Sequence, residues 1–239
     1  MHSVNLAVQD TISNVPEMRN FLQFVHELIK FIKDSPKRCQ IVREIAVEME
    51  CAQTHVRPLC PTRFTVKFKA LEGLQRQLPI LPQVLTAIED QSRDRSISSR
   101  ASGFKSRLSD FEFYFFFVVC KIILEITDDL SKVLQSGRVS AGEGIHMINS
   151  KVNELEKLRC EEKFEMLWQR SLALAKEMEA KDPCIRRSIS SRAPRRYQQS
   201  EAHEFTSTED YYQMLYNQVL DNASQCLRQR TLNKVSFFT

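Results

Sequence analysis

Glycine is scarce in this chain, five residues in 239, and the eight prolines fall mostly between apolar-periodic segments. That poverty of tight-turn residues excludes an all-β sandwich or barrel and predicts long helices with few turns. There is no C-x-x-C pair among the seven cysteines, an odd number that fits reduced thiols better than a disulfide framework. The opening "MHSVNLAVQD" has neither the basic start nor the long apolar stretch of a signal peptide. Together these features predict an intracellular protein. Uncharged apolar runs are also short. In the strongest, "FEFYFFFVVCKIILEI", Glu112, Lys121 and Glu125 interrupt residues 111–126. The run falls short of the ~18 residues a membrane span requires, so a core helix and no membrane contact are predicted.

Catalytic signatures are missing as well. No G-x-S-x-G, Walker loop or dinucleotide fingerprint occurs, and the five histidines are scattered away from any nucleophile. Asp128 and Asp129 are adjacent, so on a helix their side chains diverge by about 100° and cannot share a substrate. They read as part of a solvated face. The residues by themselves offer no active site and no small-molecule substrate.

What is present is a helical pattern with unevenly spread charge. Hydrophobic residues make up 42% and charged residues 27%, the balance of a soluble globular protein with one large core or two smaller ones. Net charge is a mild +4, which permits nucleic-acid contact without demanding it. Residues 93–107 hold Arg93, Arg95, Arg100, Lys105 and Arg107 against Asp94 alone. Residues 186–196 hold Arg186, Arg187, Arg192, Arg195 and Arg196 with no acid.

Apolar spacing of three and four predicts a first helix from Pro16 to Asp34, with Asn14 as N-cap and Met18, Phe21, Leu22, Val25, Leu28, Ile29 and Ile32 inward. A second covers Lys37 to Glu50, with Ile41, Ile45 and Met49 inward. The third starts near Thr62 on a Phe64, Phe68, Leu71, Leu74 stripe, and the fourth starts in "LPILPQVLTAIED". Residues 91–102 read as an exposed linker, followed by one long helix from Ser102 to Gln135. Ser140 and Glu143 make a capping box for a sixth helix, which continues or kinks into Phe164, Leu167 and Leu174. A basic linker spans 182–206, and Ser207 with Asp210 opens a last helix. "SISSRA" occurs twice, at 96–101 and 188–193, in both linkers. It reads either as a shared modification site or as compositional chance.

Three local constellations have two readings each. Cys51, His55 and Cys60, with Cys39, suggest a zinc site, but their spacing lacks the paired short intervals of structural zinc, and buried free thiols account for them better. No metal ligand is therefore assigned. "IRRSISSRAPRRY" is either a solvated basic loop or a kinase target at Ser188 behind Arg186 and Arg187. "LCPTRFTVKFKALEGL", residues 59–74, is either a core helix start or an aromatic surface flanked by Arg63, Lys67 and Lys69. Rings that stack on bases beside cations that neutralise phosphate would make a nucleic-acid surface.

That last segment resembles the "C-x-TRW-x-x-R-x-K-AL" stretch of hAT-superfamily transposases, in the branch of the zinc finger MYM-type protein 1-like and TTF-type zinc-finger proteins. His2, Asn5 and Leu6 of "MHSVNLAVQD" are in register with the end of that family's "C-x-x-H-x-LNL" motif. "FIKDSPKR", "ASGFKSRLSDFEFYFFFVVCKIILEITDDLSKVLQ", "APRRYQQ" and "STEDYYQMLYNQVLDNASQCLRQR" follow in the family's order.

The resemblance implies a mostly α chain: the helical insertion domain of a ribonuclease H-like transposase, with only a remnant of the core sheet. Residues 1–58 would be the core remnant and following helices, 59–181 the insertion domain, 182–206 the basic linker and 207–239 the C-terminal helix. The family's Asp-Asp-Glu triad binds divalent metal, and its acids are expected outside this chain. A non-enzymatic, nuclear, transposase-derived fragment without cofactor is implied, with weak DNA binding through Arg63, Phe64, Lys67 and Lys69. His2 and Asn5 would be relics of the core motif. Phe64 stands where the family has Trp, and the chain's only tryptophan, Trp168, is expected in the core. A helical protein–protein interaction module of transposon ancestry, or part of an intact hAT transposase, are the alternatives. Loss of the sheet is further expected to leave the apolar face of residues 18–32 exposed and the chain poorly soluble.

Overall fold

The computed structural model describes residues 14–51, 64–135, 140–185 and 207–235, and every regular element among them is helical. In chain order these are α1 (Pro16–Lys33), α2 (Pro36–Glu48), α3 (Phe64–Gln77), a 3₁₀ turn (Leu78–Ile80), α4 (Leu81–Gln91) and α5 (Arg95–Leu108). Then come α6 (Phe111–Gln135), α7 (Ala141–Lys157), α8 (Glu161–Glu177) and α9 (Thr208–Val235). The predicted mostly α class holds. No strand occurs among the described residues, and the stretch expected to carry a sheet remnant, residues 1–10, lies outside them.

The bundle is organised around α6. Its sequence is apolar on every side, and Phe113 through Cys120 are all buried. A helix of that kind must be enclosed, because a full aromatic or aliphatic side chain removed from water contributes about 1.5–3 kcal/mol. α1, α3, α5, α7 and α8 pack around it. α4 pairs with α5, α2 lies on α4, and α9 closes the far side against α7 and α8. The expected exposure of the 18–32 face is overturned here. Met18, Phe21, Leu22, Val25, Leu28, Ile29 and Ile32 are all buried. α6 supplies the cover that a sheet was expected to give, with Phe21 lying 5.4 Å from Phe113 and 6.4 Å from Phe117.

An aromatic cluster ties the last helix in. Tyr212 of α9 sits 4.7 Å from Phe115 and 5.2 Å from Phe111, and Trp168 of α8 lies 5.0 Å from Phe111. Trp168 is buried, as expected.

Several boundaries differ from the sequence reading. The predicted linker at 91–102 is largely helix, because Asp94 accepts a 2.8 Å hydrogen bond from the Ser96 N–H and caps α5. The first "SISSRA" therefore lies in a helix rather than a linker. The single helix predicted from Ser102 to Gln135 is two helices. At the break the Ser109 hydroxyl donates to the Lys105 carbonyl at 3.0 Å, and the Lys181 N–H donates to the Ser109 carbonyl at 2.8 Å. Such side-chain-to-backbone bonds compete with helix continuation. α7 does not continue into α8 either; Leu158–Cys160 separates them.

Val15, not Asn14, occupies the N-cap of α1, while the Asn14 amide donates toward Cys226 Sγ at 3.9 Å. Met49 is 38% exposed rather than inward, since α2 ends at Glu48. Asp128 is buried, not solvated, because packing helices take up so much of the α6 circumference. Both predicted capping motifs form. Ser140 and Glu143 bond reciprocally at α7, as do Ser207 and Asp210 at α9.

Candidate nucleic-acid interface

Two helix ends and one helix face bring cations together. α1 stops at Lys33, and Ser35 caps α2 by accepting from the Arg38 N–H at 3.4 Å. This tight reversal returns the first turn of α2 to the last turn of α1. Arg38 Nε then donates to the Phe31 carbonyl at 2.6 Å, satisfying one of the carbonyls left open at a helix end. Lys37, beside it, donates to the Gln91 carbonyl at 3.4 Å, where α4 ends.

The guanidinium carbon of Arg38 lies 4.4 Å from the centroid of the Phe31 ring. α5 brings Arg100, whose guanidinium carbon is 4.9 Å from the same centroid. The two cations are therefore no further apart than the sum of those distances. Phe104, one turn beyond Arg100, packs on Phe31 at 5.2 Å and on Phe24 at 5.6 Å. Arg107, at the next heptad step, lies 5.8 Å from the Phe24 ring centroid. On α5 the spacing Arg100, Phe104, Arg107 places all three on one face. On α1, Phe24 and Phe31 are two turns apart and present rings in the same register. Cations and rings alternate along this seam.

The electrostatics favour an anion at this seam. Burial first, and then the like charge of Arg100, hold the Arg38 pKa below its ordinary value, with Asp34 and Cys39 acting the other way. Among the described residues neither arginine forms an ion pair, whereas Lys105 pairs with Glu89 at 2.7 Å and Arg107 approaches Glu112 at 4.0 Å. Arg93 and Arg95 are exposed at the start of α5. An incoming anion would relieve the repulsion between Arg38 and Arg100, and a phosphate has the acceptor oxygens to engage both.

A concavity of about 680 Å³ runs between α7 and α9 and is lined in part by Glu156, Arg159, Asp221 and Arg228. Its charges are matched. Arg159 pairs with Asp221 at 3.1 Å and Arg228 pairs with Glu156, so it has little net attraction for an ion of either sign.

No family model matches the chain, no curated protein is detectably similar to it, and no solved structure matches its fold. The candidate interface therefore rests on the geometry of these side chains.

Of the residues singled out in the sequence, Arg63 lies outside the described residues, as do His2, Asn5 and Ser188. Phe64 opens α3 and Lys67 follows it in the first turn, but their side chains lie outside those described. Lys69 is exposed, Phe68 is half-buried, and Leu71 and Leu74 are in the core. Only two members of the zinc constellation, Cys39 and Cys51, lie among the described residues. Cys39 Sγ donates to the Ile32 carbonyl at 3.4 Å and Cys51 Sγ to the Arg76 carbonyl at 3.2 Å, while His55 and Cys60 fall outside the described residues. No group of metal ligands occurs among the described residues, and none of the described helices is long and apolar enough to cross a membrane.

Sequence reasoning missed Arg38 and Phe31 and misread Arg100. The charge excess at 93–107 was visible, but reading that stretch as linker concealed its helical spacing. Asp94 as N-cap, followed by Arg100, Phe104 and Arg107, was the signal that could have found it.

Proposed function

We propose that the chain is a non-catalytic, transposase-derived helical protein that binds nucleic acid by its phosphate backbone and works in the nucleus. One observation carries the reading. Arg38 and Arg100, from different helices, converge on the Phe31 ring, and Arg107 extends the series along α5. Convergence of this kind is held by aromatic packing and by the cap on Phe31, so the cations are already placed when a strand arrives. The contacts engage phosphate rather than base edges, which makes the binding weakly sequence-dependent and strongly salt-dependent. The resemblance to hAT transposases adds a second basic segment, Arg63 to Lys69 with Phe64, as a stacking element on α3. Protein partners are the competing reading.

Anisotropy of a labelled DNA hairpin and a nicked duplex, titrated across salt, tests this. Arg38→Ala with Arg100→Ala should lower the slope of log affinity against log salt by about 1, because the pair engages one phosphate and each phosphate neutralised contributes about 0.9 on duplex DNA. Arg63→Ala with Phe64→Ala should weaken binding to the hairpin more than to intact duplex. No affinity at low salt would overturn the nucleic-acid reading. An unchanged slope in the Arg38/Arg100 variant would move the interface elsewhere.

A further inference from the structure

Ser96 is exposed and is the second residue of α5. Its N–H is held by the Asp94 carboxylate at 2.8 Å. The first fully buried residue of α5 is Ala101, so the opening turn overhangs the core with only half-buried Ile97 and Ser98 against it. Arg93 precedes Ser96 by three residues, and Arg100 follows it by four. On a helix the four-residue step stacks the two side chains on one face. Neither other serine in the turn shares that relation. Four residues beyond Ser98 stands Ser102, and four beyond Ser99 stands Gly103.

We propose that Ser96 is phosphorylated by an arginine-directed serine kinase, and that its phosphate is held by Arg100 and Arg38, closing the cation seam. In the transfer the Ser96 hydroxyl oxygen attacks the γ-phosphorus of ATP. The new P–O bond forms as the β–γ anhydride bond breaks, ADP departs, and the hydroxyl proton passes to the catalytic base of the kinase. Access requires the first turn to open, which leaves Ala101, Phe104 and Leu108 seated in the core.

The modified residue carries about 1.5–2 negative charges at neutral pH and sits at the positive end of the helix dipole. Asp94 opposes it and competes for the same N–H. Arg93 and Arg95 flank it in sequence, Arg100 stands one turn along the same face, and Arg38 lies on the same Phe31 ring as Arg100, so these cations outnumber the opposing carboxylates of Asp94 and of Asp34 beside Arg38. The phosphate becomes an internal occupant of the site that a nucleic-acid phosphate would otherwise take. This consequence rests on the nucleic-acid reading; the modification and its pairing do not. The heptapeptide "RSISSRA" recurs at 187–193, outside the described residues, and supplies a comparison within the same chain.

The full chain would be treated with a purified arginine-directed serine kinase and MgATP, and its sites mapped by mass spectrometry. Ser96 is expected to be modified, and Ser96→Ala to lose that site. The phosphoprotein should melt a few degrees higher than the unmodified chain, a gain abolished by Arg100→Ala. Its affinity for the DNA hairpin should fall about 10-fold or more at low salt, with a reduced salt slope. Modification of Ser98 or Ser190 with Ser96 untouched would overturn the assignment. A phosphate on Ser96 whose effect on melting is unchanged by Arg100→Ala would overturn the pairing. If the unmodified chain binds no DNA, the functional reading fails while site mapping and melting still decide this proposal.

Discussion

Tyr114→Phe is the sharpest test of how the bundle is held together. The Tyr114 hydroxyl is buried and donates to the Leu108 carbonyl at 2.7 Å. Leu108 is the last residue of α5, so its carbonyl belongs to the group that a helix leaves without an intrahelical partner. Substitution by Phe keeps the ring and its edge contact with Phe113 at 5.1 Å but removes the donor. A buried carbonyl left without that partner costs about 1–3 kcal/mol. For a chain of this length each kcal/mol corresponds to roughly 2–4 °C in Tm, so a fall of about 4–8 °C is expected at the middle of that range. Tyr212→Phe is the internal control. Its hydroxyl reaches the Cys184 carbonyl at only 3.4 Å, at the edge of useful hydrogen bonding, and the loss should be smaller. Calorimetry or thermal circular dichroism on both variants decides the matter. If Tyr114→Phe melts within a degree of the parent, or Tyr212→Phe costs more, the hydroxyl does not staple the α5–α6 break.

Alkaline pH should unfold the protein through a second tyrosine. Burial, and to a lesser degree Cys160, raise the Tyr216 pKa from 10.0 to about 12. Its stabilising contribution is therefore complete below about 10 and is lost as pH rises toward 12, which tyrosinate absorbance recorded alongside circular dichroism would follow. A transition complete below pH 10 would contradict it. Two helix ends can be improved. Glu50 and Glu179 have φ of 52° and 53°, the left-handed conformation at the ends of α2 and α8, and the Cys51 and Ala180 N–H groups close those turns on the Ala46 and Ala175 carbonyls. Glycine accepts that conformation without the steric cost, so Glu50→Gly and Glu179→Gly should each stabilise by about 1 kcal/mol in urea titrations.

The parts of the fold that were legible in the sequence are those governed by local chemistry. The α1 stripe, the Ser140–Glu143 box and the Ser207–Asp210 cap are short-range patterns, and they form as read. The misreadings came where local composition and tertiary packing disagree. Ser- and Arg-rich residues 93–100 look like linker, yet Asp94 caps them and Ala101, Phe104 and Leu108 anchor the remainder of α5 in the core. Ser109 and Asp110 interrupt an otherwise continuous apolar period. The bond from Lys181, which holds that break from far along the chain, leaves no mark in the local pattern. Asp128 was misplaced for a related reason, since adjacency of two acids says nothing of how many helices surround α6. The cation seam was half legible: the charge excess was apparent, but the partner that gives it geometry, Arg38, comes from a helix that no local motif links to α5.

The enclosure of α6 also sets the order in which the chain becomes a protein. Phe111 and Phe115 emerge from the ribosome early, while Tyr212, which packs on both, belongs to α9 and is made about a hundred residues later. Until then the most apolar of the described helices has one side without its native cover. Pairings of such long sequence separation are slow to close and leave collapsed intermediates open to association. From the completion of α6 until the arrival of α9, the side of α6 that Tyr212 covers is therefore the surface most open to premature association.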